Sequence, residues 1–535
     1  DAAFGLGAAL AQNGSRLVYG GGSLGLMGAV ANGALAQGGS VTGIITKQLV
    51  GKELAHPKVA DMRVVDTMHE RKMMMVGLAD AFVALPGGYE FGRFRDAIDV
   101  AVSDIPQFTQ KVRKVPLEIA HPVWVHDSHF DINRHVHRVA LPGAGGYDEL
   151  MELCGHFASL PVNRRHPLWE MWAIEGYKDV GRGADRVSDD EARDKLVVFM
   201  KMHHATVDGA SGASIISHMC SLEPDAQSVA AMMGEGHGKA RDEQEPSDLE
   251  IFGRGVVASV LRPFGLTRIV QPSIDVVVKT VERAVRGTAM APPFIAPRTP
   301  FNNNITGQRT IALNDMLLSD FKEIRRLSGA TVNDIVLTVA GGALRHYLAD
   351  HGELPDTPLL ANVPVSVREE SRRSEGMNKV SALFARLGTD VEDPWERLTQ
   401  MEEANRNAKE HQKAIPADAL QDWAEFAPPR TFGLAMRAYS ALRISERGPV
   451  VHNLVISNVP GPQMPLYFMG AKIDALYPLG PIFHGAGLNI TVLSNNGIVH
   501  VGIIACPEGI PDPERLVDYF PAELAKLKAE AEKLA

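Results

Sequence analysis

Cysteine is scarce in this chain: three in 535 residues, at Cys154, Cys220 and Cys506. Such wide spacing suits a reducing cytosol and offers no cysteine metal motif. No histidine–carboxylate set has ligand spacing either, so no metal is expected. Long apolar runs are also missing. Nothing reaches the ~18 residues that a membrane-spanning helix needs. Positive charge is in deficit, with 54 Lys and Arg against 64 Asp and Glu and a net charge of −10. That balance argues against a nucleic-acid partner, because phosphate binding favours basic surfaces. The chain opens at Asp1 rather than Met, so a preceding targeting segment is left open. What is present is globular: 45% hydrophobic and 22% charged residues. The length predicts about two to four domains.

The most informative stretch is His203-His204-Ala205-Thr206-Val207-Asp208-Gly209, an HHxxxDG pattern. It follows a strand-like run, Leu196-Val197-Val198-Phe199-Met200. If the strand continued through both histidines they would face opposite sides. One would reach a cleft while the other packs below. Imidazole titrates near neutrality, so it can take a proton from a hydroxyl. Asp208-Gly209 supplies a turn and a carboxylate able to pin backbone or an arginine. A general base at a strand end suits acyl transfer from a thioester to an alcohol.

Other motifs surround it. Upstream stand Pro122-Val123-Trp124-Val125, Phe130-Asp131-Ile132-Asn133-Arg134-His135-Val136 and Pro167-Leu168-Trp169-Glu170-Met171-Trp172. Downstream stand Thr331-Val332-Asn333-Asp334, Val363-Pro364-Val365-Ser366-Val367-Arg368 and Ser457-Asn458-Val459-Pro460-Gly461-Pro462. In this order they resemble the bacterial wax ester synthase/diacylglycerol acyltransferase family, from about Phe91 to the C-terminus. That family lies within the chloramphenicol acetyltransferase superfamily. The resemblance implies two similar α/β subdomains with the active site in a channel between them. It implies His204 as general base, His203 as support, and Asp208 in a structural ion pair beside the motif. Acyl-CoA would be the co-substrate, diacylglycerol or a fatty alcohol the acceptor, and no cofactor is needed. Gly209, Asn333 and Asn458 are the substrate-binding candidates, although Asn333 could equally serve as a helix N-cap with Asp334. Trp169 reads as a core anchor and His484 as structural.

Residues 1–90 differ in kind. Val18-Tyr19-Gly20-Gly21-Gly22-Ser23 is a strand entering a glycine turn, with helix-like sequence from Ala29 to Ala36 and a strand at Val41–Ile45. Ala81 to Leu85 reads as a buried strand leading into Pro86-Gly87-Gly88-Tyr89. Backbone N–H groups in such turns can hold phosphate. Together these pieces resemble the Lonely-guy (LOG) phosphoribohydrolases, which are Rossmann-like. The matching phosphate-site candidates are Gly20, Gly21, Gly22, Arg71, Lys72, Gly87 and Gly88. The family pattern continues PGGxGTxxE. Here Phe91 stands at the threonine position and Phe94 at the catalytic glutamate. The family's opening strand is not seen ahead of Asp1, so the resemblance implies a truncated fragment fused to an incomplete acyltransferase.

The expected fold class is α/β: a Rossmann-like fragment over 1–90, an acyltransferase subdomain over 91–290, a Pro-rich linker at 291–300 and a second subdomain over 301–535. Helices are expected at Phe94–Val102, Tyr147–Leu160, Ala210–Leu222, Leu317–Ser328 and Val332–Asp350. Gly176–Asp194 reads as a loop, and Pro513 onward as a surface helix broken at Pro521. Asn495-Asn496-Gly497 between two apolar runs signals a hairpin. Three functions compete: O-acyl transfer on a peripheral lipid surface or droplet in the cytoplasm, nucleotide hydrolysis by the N-terminal part, and silent binding of lipid or nucleotide. Oligomeric state is left open.

Overall fold

The computed structural model describes residues 2–23, 25–50, 55–66, 70–71, 74–75, 78, 91–103, 105–179, 193–206, 219–222, 245–261, 295–366, 380–412 and 429–534. They divide into two units, Asp1–Glu90 and Phe91–Ala535.

In the first unit, helices α1 (Ala2–Gln12) and α2 (Gly25–Ala36) accompany strands β1 (Leu17–Tyr19), β2 (Val41–Thr46) and β3 (Asp61–Val65). The strands form a parallel sheet in the order β1-β2-β3. Parallel pairing needs a crossover, and α2 supplies it between β1 and β2. All six residues of β2 are buried, as expected of a strand covered on both faces. Glycine lets the two helices touch: a Cβ on Gly33 would lie 2.0 Å from the Phe4 carbonyl oxygen. The strand expected at Ala81–Leu85 lies outside the described residues.

The second unit opens with α3 (Phe91–Ser103). Phe94 is buried and meets the Phe468 ring edge-on at 5.6 Å, so it belongs to this unit's packing. A ribbon, β4 (Gln110–Arg113) with β5 (Val123–His126), follows. Next come β6 (Val136–Ala140), α4 (Tyr147–Ser159), β7 (Trp169–Asp179) and β8 (Arg193–Met202), with β7 central, parallel to β6 and antiparallel to β8. The loop expected at Gly176–Asp194 is partly strand: β7 passes a bulge at Gly176 (φ 84°) and pairs on to Asp179. Helix α5 (Asp248–Leu261) seats Ile251 near Val115 and Ala120. The expected helix at Ala210–Leu222 has only its end described, and Ser221 there bridges to Tyr467 rather than continuing a helix.

The larger half contains β9 (Thr310–Leu317), α6 (Leu318–Ser328), α7 (Val332–Asp350), β10 (Leu360–Ser366), β11 (Val380–Arg386), α8 (Pro394–Gln412), α9 (Pro429–Ala441) and β12 (Leu454–Pro460). It closes with a short ribbon of β13 (Tyr467–Phe468) and β14 (Ala471–Lys472), then β15 (Leu488–Asn495), β16 (Ile498–Ala505) and α10 (Pro513–Lys533). The six-stranded sheet runs β11-β10-β12-β15-β16-β9. The hairpin turn forms as expected, with Asn496 at φ 44° and Gly497 at φ 84°, the two positive values a tight hairpin requires. Ser457–Pro460 lie within β12 and pair with Thr491–Ser494.

Helix α10 overturns two expectations. It is a core helix, burying Leu516, Val517, Phe520, Leu524 and Leu527. It also passes Pro521 unbroken. Proline donates no hydrogen bond to the Val517 carbonyl four residues back. Asn314 Nδ2 donates to that carbonyl instead, at 3.3 Å. The described end of the Pro-rich segment is held in place: Ala296 bridges Val450 and the Arg298 guanidinium donates to the Ser445 carbonyl at 2.9 Å.

Candidate functional site

Strand β8 stops at Met202, the last ladder partner of Trp169. Its neighbour β7 begins just after Pro167, which has no N–H to extend the ladder. The two histidines therefore leave the strand and lie in a turn, not on opposite faces of it. The His203 N–H donates to the Leu168 carbonyl at 2.9 Å, and the Thr206 N–H donates back to the His203 carbonyl at 2.9 Å. The Ala205 N–H donates to His203 Nδ1 at 3.1 Å. An accepting Nδ1 places the neutral ring's proton on Nε2. Burial, then the nearby charge of Arg164 and His204, pushes the His203 pKa down and keeps the ring neutral. His203 is thus half-buried and committed to its own turn, while His204 is exposed. Asp208 and Gly209 lie outside the described residues.

The backbone that carries the turn is anchored from beneath. Trp169 is fully buried, and its Nε1–H donates to the Phe108 carbonyl at 2.9 Å. Its ring stacks on His135 at 4.6 Å, and His135 Nδ1–H donates to the Trp169 carbonyl at 2.8 Å. Burial lowers the His135 pKa, so this ring too is neutral. Trp169 is the core anchor expected of it. Beside it, buried Asp127 faces Lys111 at 3.0 Å and His166 Nδ1 at 3.6 Å. Burial opposes its charge, but the Lys111 ammonium and the His129 N–H prevail and hold its pKa low. His135, at the entry to β6, carries no distinguishing signal in the sequence, because periodicity alone cannot separate a buried histidine there from a surface one.

Asn333 and Asn458 are brought together. Asn458 Nδ2 donates to Asn333 Oδ1 at 3.5 Å, joining the first turn of α7 to β12. Asn333 is not the helix cap. Thr331 is, accepting the Asp334 N–H while Asp334 Oδ2 accepts from Thr331 in return. Asp334 Oδ1 accepts from Asn405 Nδ2 at 2.8 Å, tying α7 to α8. With the cap satisfied by Thr331, the Asn333 side chain is released from capping and meets Asn458 instead. His484 is structural as expected, accepting from the Ile305 N–H at Nδ1 and pairing with Ser440 Oγ at Nε2.

In the first unit, Gly20–Gly22 ends β1 and precedes α2, the place where Rossmann-like folds take ligands. Gly21 has φ 72°. Arg71 does not simply point outward: its Nη2 donates to the Gly20 carbonyl at 2.7 Å and its Nε to the Ile44 carbonyl at 2.9 Å. A Cβ on Gly20 would sit 1.9 Å from that guanidinium, so this glycine makes room for arginine. Lys72, Gly87 and Gly88 lie outside the described residues. Among the described residues no group of three or more His, Cys, Asp or Glu could hold a metal ion.

Comparison with known proteins gives a consistent picture. The model of the wax ester synthase/diacylglycerol acyltransferase catalytic domain matches residues 60–336, and that of the WS/DGAT C-terminal domain matches residues 377–528. The SLOG cluster4 family model matches residues 1–92. A Mycobacterium tuberculosis protein named as a diacylglycerol O-acyltransferase is 42% identical over 83% of this chain and 84% of its own length. The O-acyltransferase WSD of Acinetobacter baylyi is 29% identical over 78% of this chain and 84% of its own. The solved wax ester synthase/diacylglycerol acyltransferase of Marinobacter aquaeolei superimposes with a TM-score of 0.56 and 27% identity, covering 84% of this chain and 92% of that one.

Proposed function

The chain belongs to the wax ester synthase/diacylglycerol acyltransferase family, and from that premise we propose how its residues carry O-acyl transfer to triacylglycerol or wax ester. His204 is the general base. It removes the acceptor's hydroxyl proton as that oxygen attacks the carbonyl carbon of a long-chain acyl-CoA. The C–S bond then breaks, the ester forms, and the thiolate takes a proton to leave as free CoA. No acyl-enzyme forms, so both substrates are bound together. The observation that carries this reading is the division of labour in the turn: His203 Nδ1 is taken by Ala205, and His204 is the exposed ring. His203 and Asp208 support the turn. Asn458 spends the Asn333 carbonyl and leaves the Asn333 amide to donate to a substrate oxygen. Gly209 lets substrate approach the backbone. Residues 91–290 and 301–535 act as two subdomains joined by 291–300.

Purified protein incubated with labelled palmitoyl-CoA and either diacylglycerol or hexadecanol will yield labelled triacylglycerol or wax ester with equimolar CoA. Release of free palmitate without ester in both mixtures would refute the proposal.

Among the described residues no single helix is long and apolar enough to cross a membrane. We propose that the enzyme works in the cytoplasm and meets its acceptor, a lipid, from the surface of a membrane or lipid droplet. The N-terminal unit holds a nucleotide phosphate at most. Phe94 stands where the LOG pattern has its glutamate and packs in the second unit, and Arg71 is committed to backbone carbonyls. AMP incubated with the protein will release no adenine.

A further inference from the structure

Helix α9 presents apolar side chains to water. Among its described residues only the last turn is tied down on one side, through Ser440, and Met436 one turn earlier on that side is itself exposed. Ser440 Oγ pairs with His484 Nε2 at 3.1 Å, and the Ser440 carbonyl accepts from Asn304 Nδ2 at 3.0 Å. Just past the helix, Ser445 Oγ donates to Asn304 Oδ1, and Arg298 holds the Ser445 carbonyl at 2.9 Å. The outer side is apolar. Leu434, Ala438, Ala441 and Leu442 follow the i, i+4, i+7, i+8 spacing of one helix face, and all are exposed. Leu434 is 64% and Leu442 63% exposed, with Ile444 beside them at 40%.

The same stretch is basic on a chain of net charge −10. Arg437 and Arg447 are exposed along it, and the one acid between Pro429 and Gly448, Glu446, is paired with Arg443 at 2.8 Å. We propose that the outward face of α9 and the turn after it, Leu434 to Arg447, is the element that docks the enzyme on an anionic lipid surface. Leucines enter the acyl boundary and arginines meet headgroup phosphates. A second copy of the chain fits less well, because a two-fold contact through this face would set arginines against arginines. The inference rests on the acyl-transfer reading, in which the acceptor is itself a lipid.

The test is flotation of the full-length protein with vesicles of phosphatidylcholine, alone or mixed with phosphatidylglycerol. Wild type will float with the anionic vesicles, less so at high salt. L434S/L442S will lower that partition at least roughly tenfold. R437Q/R447Q will remove the preference for anionic lipid and the salt dependence while keeping the wild-type melting temperature. All three proteins will acylate a soluble short-chain alcohol equally. Failure of all three in that assay would count against acyl transfer and leave the flotation result standing. Wild-type flotation by L434S/L442S overturns the proposal, as does a dimer in solution that this variant dissolves without any vesicle binding. Should L434S/L442S not fold, unchanged flotation by R437Q/R447Q overturns it.

Discussion

The sheet β6-β7-β8 has three strands and a core it does not own. Leu141, Leu150, Phe157, Trp172 and Ile174 are completed by Ile311 and Ile504 from the larger half. The six-stranded sheet instead encloses its own core, in which α7 is buried along most of its length and Phe321 and Phe520 are sealed. The contrast matters because the proposed chemistry is split across it. The histidine turn sits at the margin of the thin half, held by a few directional ties. The asparagine pair sits at the head of the most deeply packed helix. Chemical importance and structural importance should therefore separate on one side and merge on the other.

His204→Ala breaks the contrast most sharply if it is wrong. It should lower turnover by about 10²–10⁴, with an unchanged melting temperature because the ring is exposed. A variant that melts early would place the turn in the core. Phe321→Ala should do the reverse, costing about 3–5 kcal/mol in chemical denaturation, whereas Phe157→Ala should cost less because its surroundings are shared and partly open. Equal costs would erase the difference in depth.

The third prediction concerns pH. His452 is buried with both ring nitrogens unpartnered, between Phe384 and Phe483, and burial drops its pKa to about 4. The unfolded chain takes up the proton near pH 6.5 and the folded one only near 4. The stabilisation is therefore complete above about pH 6.5 and is lost as pH falls towards 4, on the order of 3 kcal/mol. His452→Phe should flatten melting temperature against pH across that window, and a profile that still falls as in wild type would assign the acid limb elsewhere. The smallest effect is expected from Asn458→Ala. Losing one neutral hydrogen bond is worth about 1 kcal/mol, so turnover should fall roughly fivefold, with KM for acyl-CoA little changed.

Local chemistry made part of this legible. The hairpin turn at Asn496-Gly497 and helices α4, α6 and α7 announce themselves through turn residues and apolar spacing. The histidine motif was visible as a string, but its geometry was not. Whether a strand continues through it depends on where its neighbour starts, and that neighbour's proline is 36 residues upstream of His203. Helix α10 is illegible for a similar reason: Pro521 breaks a helix unless something else satisfies Val517, and Asn314, which does so, lies far away in β9. The anchoring of α9 through Ser440 depends on Asn304 and His484, neither of which is near it in sequence.

Strand β9 is the edge of the six-stranded sheet, and the Tyr147 hydroxyl on α4 both accepts from the Leu313 N–H at 2.8 Å and donates to the Leu313 carbonyl at 3.1 Å. An unpaired edge is a template on which another chain can grow a strand. A single phenol oxygen occupies both backbone groups near the middle of that edge. The thin half thus works as a plug as well as a carrier of histidines. Synthesised without it, the larger half would offer β9 to its own copies, and a well-packed core would not stop it from polymerising.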